Sequence, residues 1–143
     1  YGIIYLENEE YEIEGIKFWG SPNTPNFGNW YFMKDRAKMD KHWSHVPEDI
    51  DVFICHGPCK GIMDLSYNRE GKLEFCGDKA LKNHILNRIK PKYFLSGHIH
   101  NSEDIINAGV TKLSSYDTIF SNGSVVTDRK FGMLSSNGNI LEI

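Results

Sequence analysis

The order of apolar and polar positions divides the chain into a β-rich start, a middle where helices alternate with buried strands, and a β-rich end. Residues 3–6 are continuously apolar, residues 11–14 alternate with period two, and the alternation resumes over 16–19 after Gly15. Together they predict antiparallel strands. Residues 21–30 contain Pro22 and Pro25, which resist either regular ladder, so a long loop is expected there. Its aromatics, Phe27 and Trp30, are expected to pack over the sheet edge, with lining a substrate cleft as the alternative. Asp35 reads as the N-cap of a helix running to about Ser44, with Met39 and Trp43 on one face. Residues 51–55 form a short apolar run typical of a buried strand. Residues 65–76 read as a mobile loop with Asn68 to Lys72 at its tip. A second helix is predicted from Lys79 to Lys90, capped by Asp78 and stopped by Pro91, with Leu81, Ile85 and Ile89 as its buried stripe. Residues 93–95 form a second buried strand. Short strands are then expected at 105–106, 110–113 and 118–120, and a terminal hairpin from 131–134 and 140–143 about Asn137-Gly138.

Both buried runs stop at glycine, before Cys55-His56-Gly57-Pro58 and within Ser96-Gly97-His98-Ile99-His100. Strands that end this way leave their last side chains at the carboxyl edge of the sheet, where open α/β sheets build their sites. Neutral imidazoles there are metal ligands, so His56, His98 and His100 are the candidate metal-binding residues. If the backbone stays extended, His98 and His100 share a face while Ile99 turns into the core. Spacing alone leaves open whether the two hold one ion or split between two. His42, His45 and His84 lie in or beside helices: the first two read as surface residues, the last as structural. Cys55 should be a buried thiol facing away from His56, and Cys59 is left open as a ligand. Gly57-Pro58-Cys59-Lys60-Gly61 lacks the order of a phosphate loop. Lys79, Lys82, Arg88 and Lys90 carry no interleaved aromatics and read as a solvated helix face. Asn122-Gly123-Ser124 reads as a turn.

The 143 residues are 40% hydrophobic and carry a net charge of −3, values of a globular single domain or half-domain rather than a disordered chain. The acidic balance argues against strong nucleic-acid binding or attraction to anionic membranes, and no apolar run is long enough to span a bilayer. Three cysteines without scaffold spacing point to reduced thiols and a cytoplasmic setting.

The chain resembles the calcineurin-like metallophosphoesterases, and within them the metallophosphoesterase-domain-containing subfamily. The resemblance rests on Gly20-Ser21-Pro22 with Thr24-Pro25, Asp40 to Trp43, Pro47 to Asp51, His56-Gly57-Pro58, Arg88 to Lys92 and Gly97-His98-Ile99-His100. It implies an α/β (α+β) fold, part of a two-sheet β-sandwich flanked by helices. It also implies two divalent ions (Mn, Fe or Zn), with His56 and His98 on one and His100 on the other. Ions about 3.5–4 Å apart hold a phosphoryl oxygen and activate water for in-line attack on a phosphate-ester substrate. No serine elbow occurs, and no cysteine has Arg six positions on. The family's amino-terminal motifs, Asp-x-His, Gly-Asp-x-x-Asp and Gly-Asn-His-Asp/Glu, are absent from these residues, and Gly77-Asp78 is followed by Leu81 instead of Asp. Cys59 stands where the subfamily usually has Pro.

The chain therefore reads as a truncated segment matching the carboxyl-terminal half of a metallophosphoesterase, opening at Tyr1 where those motifs should already have passed. Without carboxylates two adjacent dications repel strongly, so at most one ion is expected on this chain alone. A non-catalytic scaffold or binding domain and a mononuclear zinc protein are the other readings. Self-association, or pairing with the missing half, is the expected assembly.

Overall fold

The computed structural model describes residues 2–127, 134 and 136–143. Strands β1 (Glu9–Ile13) and β2 (Ile16–Ser21) pair antiparallel. They are joined by Glu14-Gly15, whose φ angles of 51° and 82° suit the two-residue turn that matches strand twist. A short parallel pair follows, β3 (Thr24–Pro25) with β4 (Met33–Lys34). Helix α1 (Arg36–Trp43) leads to strand β5 (Val52–Cys55). Strands β6 (Leu65–Tyr67) and β7 (Leu73–Phe75) form an antiparallel hairpin. Helix α2 (Lys79–His84) runs on through a π-type turn, Ile85–Ile89, to strand β8 (Tyr93–Ser96). Strands β9 (Gly109–Lys112) and β10 (Ile119–Asn122) complete a six-stranded sheet in the order β1-β2-β5-β8-β10-β9.

Strands β2, β5, β8 and β10 are mutually parallel. Their register places Trp19, Phe53, Phe94 and Phe120 side by side in one row. The Phe53–Phe94 and Phe94–Phe120 ring centroids are each 5.6 Å apart. Successive right-handed crossovers in one direction put α1 and α2 on the same face, and Met39, Trp43, Leu81, Ile85 and Ile89 close the core over that aromatic row. Both predicted caps form: Asp35 accepts from the Ala37 N–H at 3.1 Å and Asp78 from the Ala80 N–H at 2.8 Å. The other Asp78 oxygen accepts the buried indole N–H of Trp43 at 2.6 Å, tying the two helices together.

Among the described residues the opposite face carries no helix. Leu6 lies over Gly20, where a Cβ would come within 2.3 Å of the leucine Cβ, which is why that position is glycine. The Tyr93 hydroxyl donates to the Glu142 carbonyl oxygen. Between these two patches Ile54, on an inner strand, stays 40% exposed. Tyr11, Ile13 and Val110 add exposed apolar surface on the same face. The described strands thus make the mixed α/β architecture expected, with one layer of the sandwich present among them.

Several expectations change. Residues 3–6 form no strand and instead cross the open face. Residues 65–76 are largely the ordered β6–β7 hairpin, because Gly71 at φ 74° allows the chain to reverse there. Residues 105–106 form no strand. Of the terminal hairpin, 131–133 lie outside the described residues and 140–143 have no strand structure. Arg88 does not face solvent freely: its guanidinium donates to the Val46 and Trp43 carbonyls, each at 2.7 Å, sealing the end of α1. Its Nε donates to His84 Nδ1 at 2.9 Å, so His84 carries its proton on Nε2 and donates to Asp40 at 3.1 Å.

His42 is half-buried, edge-on to Trp43 at 4.5 Å, instead of lying on the surface. Burial first, then Lys34 and His45, push its pKa from 6.5 down to about 4. The unfolded chain takes this proton near pH 6.5, whereas the folded chain refuses it until about pH 4. Stability present above pH 6.5 is therefore lost as the pH falls towards 4. His42→Asn is expected to flatten the urea midpoint over that range, and an unchanged pH slope would contradict this. Asp78→Ala removes the Trp43 acceptor and the α2 cap together, and should cost about 1–3 kcal/mol in chemical denaturation.

Candidate metal and phosphate site

Because the four parallel strands are in register, Ser21, Cys55, Ser96 and Asn122 end together at one edge. The ladder continues one rung beyond the strands. The His56 N–H donates to the Ser21 carbonyl at 3.1 Å, and the Gly97 N–H to the His56 carbonyl at 3.2 Å. This brings the two histidine motifs side by side: the His56 and His98 ring centroids are 4.5 Å apart at a 39° tilt.

The backbone does not stay extended through Gly97-His98-Ile99. Strand β8 ends at Ser96, His98 has φ 68°, and the Ile99 N–H donates to the Gly97 carbonyl at 2.7 Å. That is a left-handed γ-turn, a rare and strained form. The turn, not strand alternation, directs the His98 ring. Phe27 packs on His98 at 4.9 Å and lines the adjacent cavity. Loss of hydration, reinforced by His56 and then His100, pushes the His98 pKa down to about 4. Partial desolvation also lowers that of His56. Both rings are therefore neutral at pH 7, the form that binds metal. Neither ring makes a hydrogen bond to the described residues. His100 lines the same cavity as His98.

Among the described residues no three His, Cys, Asp or Glu side chains surround a common point closely enough to hold a metal ion. Cys55 is buried, with its thiol pushed up to about 12 mainly by burial, and its Sγ lies 3.7 Å from the Asn23 carbonyl. Cys59 is 0% exposed, and burial raises its thiol well above the ordinary value. Neither supplies a thiolate. The donor set present is thus a pair of adjacent neutral imidazoles with a third nearby. It suits part of a divalent-metal shell and lacks the anionic ligands that would complete one.

The cavity beside His98 and His100 has a volume of about 490 Å³. Its walls come from the β3–β4 loop, the first turn of α1 and the β6–β7 hairpin, and include Phe27, Arg36, Tyr67 and Arg69. Arg36 donates only long hydrogen bonds, 3.4 Å each, to the Gly77 and Cys76 carbonyls. No carboxylate among the described residues pairs with either arginine. Glu74 also lines the cavity, so the two guanidiniums share it with one carboxylate, and phosphate suits their planar forks. Sequence reading raised Phe27 as a candidate cleft residue, through the length of loop 21–30, and missed Arg36, Tyr67 and Arg69, which no local pattern marks.

No family model matches the chain. A UPF0046 protein of Caenorhabditis elegans is 36% identical over 111 residues, covering 76% of this chain and 27% of that protein. Human metallophosphoesterase domain-containing protein 1 is 32% identical over 109 residues, 76% of this chain and 32% of that protein. A second Caenorhabditis elegans UPF0046 protein is 33% identical over 109 residues, 75% of this chain and 38% of that protein. The chain thus spans about a third of the length of these curated relatives. One solved structure aligns with a TM-score of 0.54 at 15% identity, over 83% of this chain and 45% of that one, which supports the fold alone. No helix among the described residues is long and apolar enough to cross a membrane. With relatives of this kind and its two histidine motifs on adjoining strand ends, the chain belongs to the metallophosphoesterase-domain-containing proteins.

Proposed function

We propose that the polypeptide containing this chain is a divalent-metal-dependent phosphoesterase and that the chain contributes part of its metal shell and the wall that receives substrate. The observation that carries this reading is the pair of neutral rings of His56 and His98, in contact with each other beside a cavity that His98 lines together with Arg36 and Arg69. In the complete protein His56 and His98 would hold one ion and His100 a second, with Mn, Fe and Zn all suited to such shells. Bound there, the ions would supply Lewis-acid stabilisation of a phosphoryl oxygen and a water acidic enough to attack it. Arg36 and Arg69 would bind the free oxygens of a phosphomonoester or phosphodiester. Phe27 would fix the His98 ring and keep water from its outer face. The chain's free cysteines fit a reducing, cytoplasmic setting.

The open sheet face around Ile54 supports a partner layer, whether other residues of a longer polypeptide or a second copy of this chain. The absence of a third donor around His56 and His98 among the described residues argues against a self-sufficient mononuclear zinc site. A non-catalytic scaffold would bind no metal at all.

Calorimetric titration with Mn²⁺ or Zn²⁺ should give one weakly held ion per chain and no second, and His56→Ala or His98→Ala should weaken it at least about tenfold. A wild-type chain that binds neither metal would overturn the ligand assignment. In the full-length protein, hydrolysis of a chromogenic phosphodiester should disappear with chelator and return with metal. Arg69→Ala should raise KM with little change in kcat. Sedimentation of the isolated chain should reveal self-association; a strict monomer that binds no apolar dye would count against an unpartnered sheet face.

A further inference from the structure

We propose that Asn122 and Asn107 are positioning residues that hold the His98 turn in its strained geometry and fix it to the opposite wall of the cavity. This rests on the reading of His98 and His100 as ligands. Asn122 closes β10 and is 0% exposed; Asn107 precedes β9 and is 2% exposed. Each uses both amide hydrogens in the same way. Asn122 Nδ2 donates to the Ile99 carbonyl at 2.9 Å and the Met63 carbonyl at 3.3 Å. Asn107 Nδ2 donates to the His100 carbonyl at 2.8 Å and the Leu65 carbonyl at 2.9 Å. The two carboxamides thus grip consecutive carbonyls of the histidine loop. Each ties its carbonyl to the segment that opens the β6–β7 hairpin.

The orientation of both amides is fixed. Asn122 Oδ1 accepts the Ser124 N–H at 2.9 Å and Asn107 Oδ1 accepts the Leu65 N–H at 3.1 Å, so neither can be flipped without setting an acceptor against a carbonyl. The bonded segments are also where the backbone is strained. His98 at φ 68° and Met63 at φ 50° are non-glycine residues in the left-handed region. Such conformations are unfavourable for residues other than glycine and persist only where the surroundings over-determine them. Asn122 supplies that constraint to both, through the Met63 carbonyl and through the carbonyl of the residue after His98. In this arrangement the rings of His98 and His100 and the hairpin carrying Tyr67 and Arg69 hold one fixed separation.

A purely structural role would make these two buried carboxamides interchangeable with any other buried hydrogen bond. Thr118 provides that comparison: its hydroxyl donates to the Pro91 carbonyl at 2.7 Å, just before β10 and away from the histidines. The test compares Asn122→Ala, Asn107→Ser and Thr118→Val in the intact chain, by imidazole ¹H–¹⁵N NMR without metal and by Zn²⁺ or Mn²⁺ titration. The Asn variants should shift the His98 and His100 imidazole resonances, leave His84 unmoved and weaken metal binding about tenfold or more. Thr118→Val should lower the melting temperature without either effect. Asn variants that behave like Thr118→Val, with His98 unmoved and metal affinity within about twofold, would overturn the proposal. If Asn122→Ala does not fold, Asn107→Ser and the wild-type side-chain amides still decide, because held amides must exchange slowly with water. If wild type binds no metal while the Asn variants still move His98, the ligand reading fails and the positioning role stands.

Discussion

A single constraint organises this molecule: four parallel strands hydrogen-bonded in register, so that their carboxyl ends finish at one edge. Parallel ladders require crossovers, and the crossovers here all run in one direction, which places both helices on one face. The aromatic row across the sheet gives that face a continuous apolar floor, and the helices supply its cover. The same register carries beyond the strands, through His56 to Gly97, and brings residues 42 positions apart into ring contact. The candidate site is therefore a consequence of how the core is assembled.

The cover on one face has a cost on the other. Parallel sheets are normally buried on both sides, yet Ile54 on an inner strand keeps substantial contact with solvent. A leucine over a glycine and a carbonyl over a tyrosine hydroxyl close the face only in patches. Among the described residues the imidazole pair has no carboxylate beside it and the sheet has no facing layer, which is compatible with the proposal that the chain works within a larger phosphoesterase.

Strain and charge meet at the site edge. His98 occupies a left-handed γ-turn, packed between Phe27 and His56, with two buried asparagines holding the carbonyls that follow it. Its ring is kept neutral by dry surroundings and by neighbouring imidazoles. Across the cavity the arginines lack carboxylate partners. In the proposed reading the first wall would present lone pairs to a cation, and the second, where Glu74 stands with Arg36 and Arg69, would receive an anion.

Sequence alone determined what local periodicity and capping chemistry control. Asp35 and Asp78 cap the helices because a short carboxylate before an apolar stripe satisfies free N–H groups wherever the helix packs. The runs before His56 and Gly97 become inner strands because continuous apolar sequence bounded by glycine has few other solutions, and the histidines were legible as a pair at those strand ends. Tertiary structure decided the rest. The left-handed φ of His98 goes with bonds to the carbonyls that follow it, from Asn107 seven positions beyond His100 and from Asn122 twenty-three beyond Ile99, and the second partner lies outside any local window. Residues 65–75 form a hairpin because their ladder is fixed against Asn107, 42 positions from Leu65. Arg88, in a pattern that reads as solvated, seals α1 because its partners are carbonyls more than 40 residues away. Local sequence records a residue's own preferences; where its hydrogen-bond partners lie is settled only when the strands are set side by side.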